Sequence, residues 1–235
     1  MLTTYNLKMP HAVYGGDNAM DNITDILKAQ GTKKVAMFTD KGIKAAGLFA
    51  LPEEAVKAAG ADYYVLDDLP AEPSYMAVQK LVDTFKESGA DMIVACGGGS
   101  VMDAAKLASV LVTDEYGVKE LLDDPGRAKK CVPVIMIPTT AGTGAEVTPN
   151  AIVAVPEKEL KVGIVNPNMI PDHVILDARM IKNLPRKIAA ATGVHTLPPR
   201  IECFTPPKDY PFPGPPAGGG PLRRQKSQTG QKIQK

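Results

Sequence analysis

Met92-Ile93-Val94-Ala95-Cys96-Gly97-Gly98-Gly99-Ser100-Val101-Met102-Asp103-Ala104-Ala105-Lys106 is the stretch on which the fold turns. Four apolar residues in a row, 92–95, predict a strand buried on both faces. Glycines follow at once, and apolar spacing then predicts a helix from about Ser100 to Val112. Glycine lets backbone approach a ligand, and the first N–H groups of a helix face an anion. A diphosphate is the natural guest. The plain alternative is a tight strand-to-helix turn that binds nothing. The spacing is not the usual G-x-G-x-x-G of a Rossmann motif.

Outward from this stretch, apolar runs and amphipathic segments alternate. Strands are predicted at 35–38, 63–66, 132–137 and 174–176, with a two-stranded excursion at 151–155 and 161–165. Asp17 is placed to cap a helix with Met20, Ile23, Ile26 and Leu27 on one face and Gly31 past its end. Residues 41–60 read as helix interrupted near Pro52. Ser74 caps a helix that buries Val78, Leu81, Val82 and Phe85 and closes at Gly89. This order predicts an α/β fold, a parallel Rossmann-like sheet covered on both faces, over residues 1–183. Pro185 opens a further helix through Ile188 and Ala189 toward Val194, which Pro198-Pro199 is expected to stop. Residues 184–205 thus read as the start of an all-helical domain that is not completed. The Pro-, Gly- and Lys/Arg-rich stretch 206–235 reads as disordered.

Composition narrows the function classes. The 235 residues are 44% hydrophobic, enough for one large α/β unit or one core and part of a second. With 27 basic and 26 acidic residues, bulk charge favours neither nucleic acid nor an anionic membrane. There is no tryptophan, so stacking platforms for single strands are not expected. Apolar runs such as 132–138 are too short to span a bilayer, and 1–9 lacks the order of a secretory signal. Cys96, Cys131 and Cys203 are isolated and odd in number, which fits a reducing cytoplasm.

Two further features sit at strand ends. Pro138-Thr139-Thr140-Ala141-Gly142-Thr143-Gly144-Ala145-Glu146-Val147-Thr148 offers hydroxyls to phosphate, ribose or nicotinamide at the carboxyl edge of a sheet. A Thr/Gly loop satisfying its own backbone is the alternative. Asp40 ends the first buried strand. A carboxylate there accepts both ribose hydroxyls and repels a 2′-phosphate, favouring NAD over NADP. It can equally cap the turn Asp40-Lys41-Gly42.

Together the glycine and threonine strings resemble the iron-containing (group III) alcohol dehydrogenase family, over roughly residues 5–194. The resemblance implies a dehydroquinate-synthase-like NAD-binding domain followed by a helical metal-binding domain. It assigns the cofactor diphosphate to Gly97, Gly98, Gly99 and Ser100, with Asp103 supporting that loop. Thr139, Thr140 and Thr143 then flank the adenine-ribose and nicotinamide ends, and Lys161 is the family's cofactor-side lysine. Similar members carry an Asn near Glu72, where this chain departs. The family holds a divalent metal, iron or zinc, with one Asp and three His, two of them in Gly-Val-Asp-x-x-x-His-Ala-Ile-Glu. The matching stretch is Gly193-Val194-His195-Thr196-Leu197-Pro198-Pro199-Arg200-Ile201-Glu202, with His195 for the aspartate and Pro199 for the histidine. The other two ligands are expected well downstream, in the low-complexity stretch or beyond it. His11 and His173 read as structural. The fit returns at Ile201-Glu202-Cys203-Phe204-Thr205 and then ends, which a frame slip or a shortened gene product would explain.

The implied activity is NAD-dependent, metal-dependent interconversion of a small alcohol or diol and its aldehyde. The metal serves as a Lewis acid on the substrate oxygen, and the chain as written is expected to be inactive. No acid or base in 1–194 stands out. A homo-oligomer is compatible with the resemblance, and no nucleic-acid or membrane partner is expected. Two alternatives remain: a non-catalytic nucleotide-binding remnant or interaction fragment, and a relative of glycerol dehydrogenase or dehydroquinate synthase. The threonine string argues against the latter.

Overall fold

The parallel sheet predicted from the apolar runs is present in the computed structural model, which describes residues 8–113 and 115–202. The disorder expected for 206–235 lies outside the described residues, as does Cys203. The strands, in chain order, are β1 (Ala12–Gly15), β2 (Lys34–Phe38), β3 (Asp62–Leu66), β4 (Met92–Gly97), β5 (Val134–Pro138) and β8 (His173–Leu176). They pair in the order β1-β8-β5-β4-β2-β3, every pair parallel. The excursion is an antiparallel pair, β6 (Asn150–Val155) and β7 (Leu160–Val165).

Continuous apolar strands are needed because both faces are covered. Val35 and Met37 point to a core shared with α1 (Asn22–Gln30) and α3 (Ala50–Ala59). Ala36 and Phe38 point the other way, to α4 (Tyr75–Ser88), α5 (Gly99–Val110) and α6 (Val118–Asp123). Helix α5 is buried on all sides from Val101 to Val110, against α4, β4, β5 and β6. Ser74 accepts from the Ala77 amide, and Gly89 ends α4 in the left-handed region, both as predicted.

The chain divides into a large unit, residues 8–139 with 145–183, and a small one whose described residues are 140–144 and 184–202. In the small unit α7 (Arg186–Glu202) runs through Pro198 and Pro199, where the helix was expected to stop. Each proline removes one i to i−4 bond and leaves the carbonyls of Val194 and His195 without that partner. Val194 is 70% exposed and His195 is exposed, so water can meet both carbonyls.

Two other expectations are corrected, and two elements are new. Asp17 caps nothing: a 3-10 turn, Ala19–Asp21, precedes α1, and Asn18 enters it at φ 61°. The break in 41–60 falls between α2 (Lys41–Ala45) and α3, around Gly47 at φ 72°. Pro52 sits in the first turn of α3, where amides lack helical partners anyway. Strand β1 and helix α6 were not expected at all.

Gly97 closes β4 because nothing larger fits. A Cβ there would lie 2.7 Å from Cβ of Val101 in the first turn of α5. Val101 is branched and buried, so it cannot rotate away cheaply. Gly97→Ala is expected to lower stability by about 1–3 kcal/mol, an overpacking cost. Thermal unfolding measures it, and an unchanged melting temperature would show that the start of α5 yields freely.

Candidate functional site

Helix α5 opens without a side-chain cap. Gly98 is its N-cap, in extended backbone at φ −80° and ψ −172°, and as a glycine it gives the first amides no side-chain cap. Met102 N–H donates to Gly98 O at 3.1 Å, so the amides before it, at 99–101, point out of the helix end. They face an open cleft of 470 Å³ lined by residues 40–42, 69–72 and 98–101. Those segments follow β2, β3 and β4, so the cleft lies at the carboxyl edge of the sheet, where ligands of open α/β folds bind.

Asp40 is the cap that the turn reading expects, and it stands on the cleft wall. Its Oδ1 accepts from Ile43 N–H at 2.8 Å as the cap of α2, and the residue also lines the cleft. Gly97, Gly98, Gly99 and Ser100 form the strand-to-helix turn, with 98–100 on the cleft wall. Thr139 is buried, and its N–H donates to Gly97 O at 3.1 Å, which brings the head of the threonine string beside the glycine turn. Thr140 and Thr143 belong to the small unit. There the hydroxyl of Thr196 donates to Ala141 O at 2.9 Å and ties α7 to that segment.

Asp103 lies a turn into α5. Its Oδ2 accepts from Ile152 N–H at 3.1 Å, and its Oδ1 is 3.2 Å from Nζ of the fully buried Lys106. Lys106 also donates to Thr148 Oγ1 at 3.1 Å and to Asn150 O at 2.8 Å. Burial pushes the Asp103 carboxyl up and the Lys106 ammonium down, and their mutual attraction opposes both shifts. The network fastens the glycine-opened helix to β6 and to the end of the threonine string. Lys106 was missed in the sequence because a lysine on a helix normally reads as solvent-facing.

Lys161, the expected cofactor-side lysine, pairs with Glu72 on the cleft wall at 2.6 Å. Two further pairs link α2 to the segment after β3: Lys41 with Asp68 at 2.9 Å and Lys44 with Asp67 at 2.6 Å. Of the 69–72 wall only Glu72 was singled out from the sequence, although Leu69-Pro70-Ala71-Glu72-Pro73 carries the punctuation of a loop following a strand. His11 and His173 pack edge to face 5.8 Å apart. His173 starts β8, at the end of the sheet away from the cleft.

The metal positions are chemically poor. Positions 195 and 199 are four residues, about one turn, apart on α7, but proline has no donor atom to offer a metal. Among the described residues no three His, Cys, Asp or Glu side chains gather as a metal set. The described residues at these positions do not fit a divalent ion. Among the described residues no helix is long and apolar enough to cross a membrane.

The parallel sheet, the glycine turn and the cleft at its carboxyl edge define a Rossmann-like α/β fold. The family model for iron-containing alcohol dehydrogenase matches residues 10–178, and the chain belongs to that family. Members of the family are oxidoreductases of alcohols and aldehydes that use NAD and a divalent metal. The chain is 35% identical over 191 residues to lactaldehyde reductase of Escherichia coli, covering 80% of this chain and 50% of that protein. Its fold matches a 1,3-propanediol oxidoreductase crystal structure with a TM-score of 0.81 at 25% identity, over 89% of this chain and 55% of the other. It matches sulfoacetaldehyde reductase from Bifidobacterium kashiwanohense in complex with NAD+ with a TM-score of 0.78 at 27% identity, over 86% of this chain and 54% of that one. The chain spans about half the length of the curated relatives it matches.

Proposed function

We propose that this chain binds NAD in the cleft at the carboxyl edge of its sheet, as the nucleotide-binding part of an oxidoreductase that interconverts a small alcohol and its aldehyde. The carrying observation is the N-terminus of α5, opened by Gly98 and left uncapped beside the cleft. The diphosphate sits against the amides at 99–101, with Ser100 adding a hydroxyl. Gly97 and Asp103 set the turn, and Asp40 takes the adjoining ribose with the carboxylate oxygen not engaged by Ile43. Thr139, Thr140 and Thr143 serve the rest of the dinucleotide, and Lys161 reaches the rim through Glu72. Bound NAD carries the hydride. A metal in this family supplies a Lewis acid for the substrate oxygen, and α7 lacks the donors to hold one. That lack favours a second reading, a module that binds NAD and does not turn over alcohol. The free Cys96 and Cys131 suit a reducing cytoplasm. Assembly with further copies of the chain is compatible with this role.

The direct test is titration of the purified chain with NADH, followed by fluorescence. Saturable binding is expected, and its absence refutes the reading. Cofactor choice follows from Asp40. Asp40→Gly removes the carboxylate that repels a 2′-phosphate, while a glycine N-cap costs α2 only a few tenths of a kcal/mol. The preference for NAD over NADP is expected to fall by about tenfold, the effect of one nearby charge in a partly solvated cleft. An unchanged ratio of the two affinities would reduce Asp40 to its capping bond.

A further inference from the structure

The cleft wall holds a lysine beside Asp40. Lys41 lines the same cleft, and a cation there is what a 2′-phosphate seeks. That lysine is already engaged, because its Nζ is 2.9 Å from Asp68 Oδ1 across the gap between α2 and the segment after β3. The neighbouring pair differs in one respect. Lys44 meets Asp67 at 2.6 Å, but Lys44 is not on the cleft wall. Both acids precede the 69–72 wall directly. Glu72, the third carboxylate of this region, is held by Lys161.

We propose that Asp68 is a second determinant of cofactor choice, acting through Lys41: by pairing with that lysine it withholds the cleft's nearest cation from a 2′-phosphate. The inference rests on the reading that a dinucleotide occupies this cleft with its adenosine ribose toward Asp40. Asp40 repels the phosphate directly, and Asp68 neutralises the group that would otherwise attract it. Removing Asp40 alone therefore leaves the NADP site half built. Lys41 and Asp68 are 75% and 80% exposed, so the pair is screened by salt and its effect is moderate.

The test is calorimetric titration of the whole chain with NAD and with NADP. The forms compared are the wild type, Asp68→Asn, Asp67→Asn and the double variant Asp68→Asn with Lys41→Met. Asp68→Asn is expected to shift the affinity ratio toward NADP by about three- to tenfold at about 50 mM salt, and by much less at about 500 mM. Adding Lys41→Met is expected to cancel the shift. Asp67 acts on Lys41 only at longer range, so Asp67→Asn is expected to move the ratio by less than about twofold. An unchanged ratio in Asp68→Asn overturns the proposal, as does a shift that survives Lys41→Met. If the wild type binds neither dinucleotide, the reading of the cleft falls and the proposal falls with it. Binding with an unmoved ratio rejects the proposal alone.

Discussion

Gly98→Val is expected to abolish dinucleotide binding and leave the fold intact. The backbone at Gly98, φ −80° and ψ −172°, lies in the extended region that valine prefers, so the substitution introduces no backbone strain. Gly98 is on the cleft wall, at the uncapped start of α5. A branched side chain there occupies the space in which an anion would meet the amides at 99–101. Each hydrogen bond to a charged group contributes about 1.5–3 kcal/mol. Loss of two weakens binding by more than about 100-fold. Fluorescence titration with NADH reads the loss, and circular dichroism with thermal unfolding reads the fold. Wild-type affinity in a folded Gly98→Val protein would remove the glycine turn from the site. The neighbouring Gly97→Ala separates the two roles of the glycines. Its Cβ meets Val101 inside the protein, so it lowers stability first and binding only as a consequence.

The strands most plainly read from the sequence are those buried on both faces, although β3 at the sheet edge and the β6–β7 pair were read as well. Met92 to Ala95 and Val134 to Ile137 are fully enclosed, and burial on two sides demands an unbroken apolar run. Strand β1 escaped because it is short and half exposed, unlike β3, the other edge strand, whose Tyr63-Tyr64-Val65-Leu66 run is a continuous signal. Val13 is 47% exposed, Gly15 ends the strand, and four residues carry too little pattern. The break at Gly47 was hidden by Pro52, the stronger breaker in composition but harmless in the first turn of α3. Helix α6 has only six residues, too few for a periodicity.

The site shows the same division. The glycine turn and Asp40 were legible because each sits at the end of a legible strand. The partners of those residues were not. Lys106 contacts Thr148 and Asn150, more than forty residues away, and Lys41 finds Asp68 only once β2 and β3 pair. Contacts of that span are set by strand order, which alternation of elements leaves open. For Asp40 the observed capping bond does not exclude the proposed ribose contact. A carboxylate has two oxygens, and the capping bond uses only one.

The chain as written is expected to bind NAD yet hold no catalytic metal and turn over no alcohol. Positions 195 and 199 lie one helical turn apart on α7, where two ligands of one ion would stand. His195 offers one imidazole, and Pro199 offers nothing. Whatever else contributes to the site, it is short of a ligand, and catalytic divalent ions need three or more protein donors with one position open. Without the ion, no Lewis acid stabilises the alkoxide as hydride leaves. The measurement is metal content after equilibration with ferrous or zinc ion and gel filtration, beside NADH formation from 1-propanol and 1,3-propanediol. Stoichiometric metal with steady turnover in the unaltered chain would refute the assignment of positions 195 and 199. The double variant His195→Asp with Pro199→His is the constructive counterpart. It places a carboxylate and an imidazole four residues apart and removes one proline from the helix interior, a change that favours the helix by about 3 kcal/mol. Metal affinity is expected to rise at least about tenfold over the unaltered chain, the gain of one or two real donors. Helical circular dichroism is expected to rise with it. A variant that gains helix but no metal would show that α7 is not where this chain's metal ligands begin.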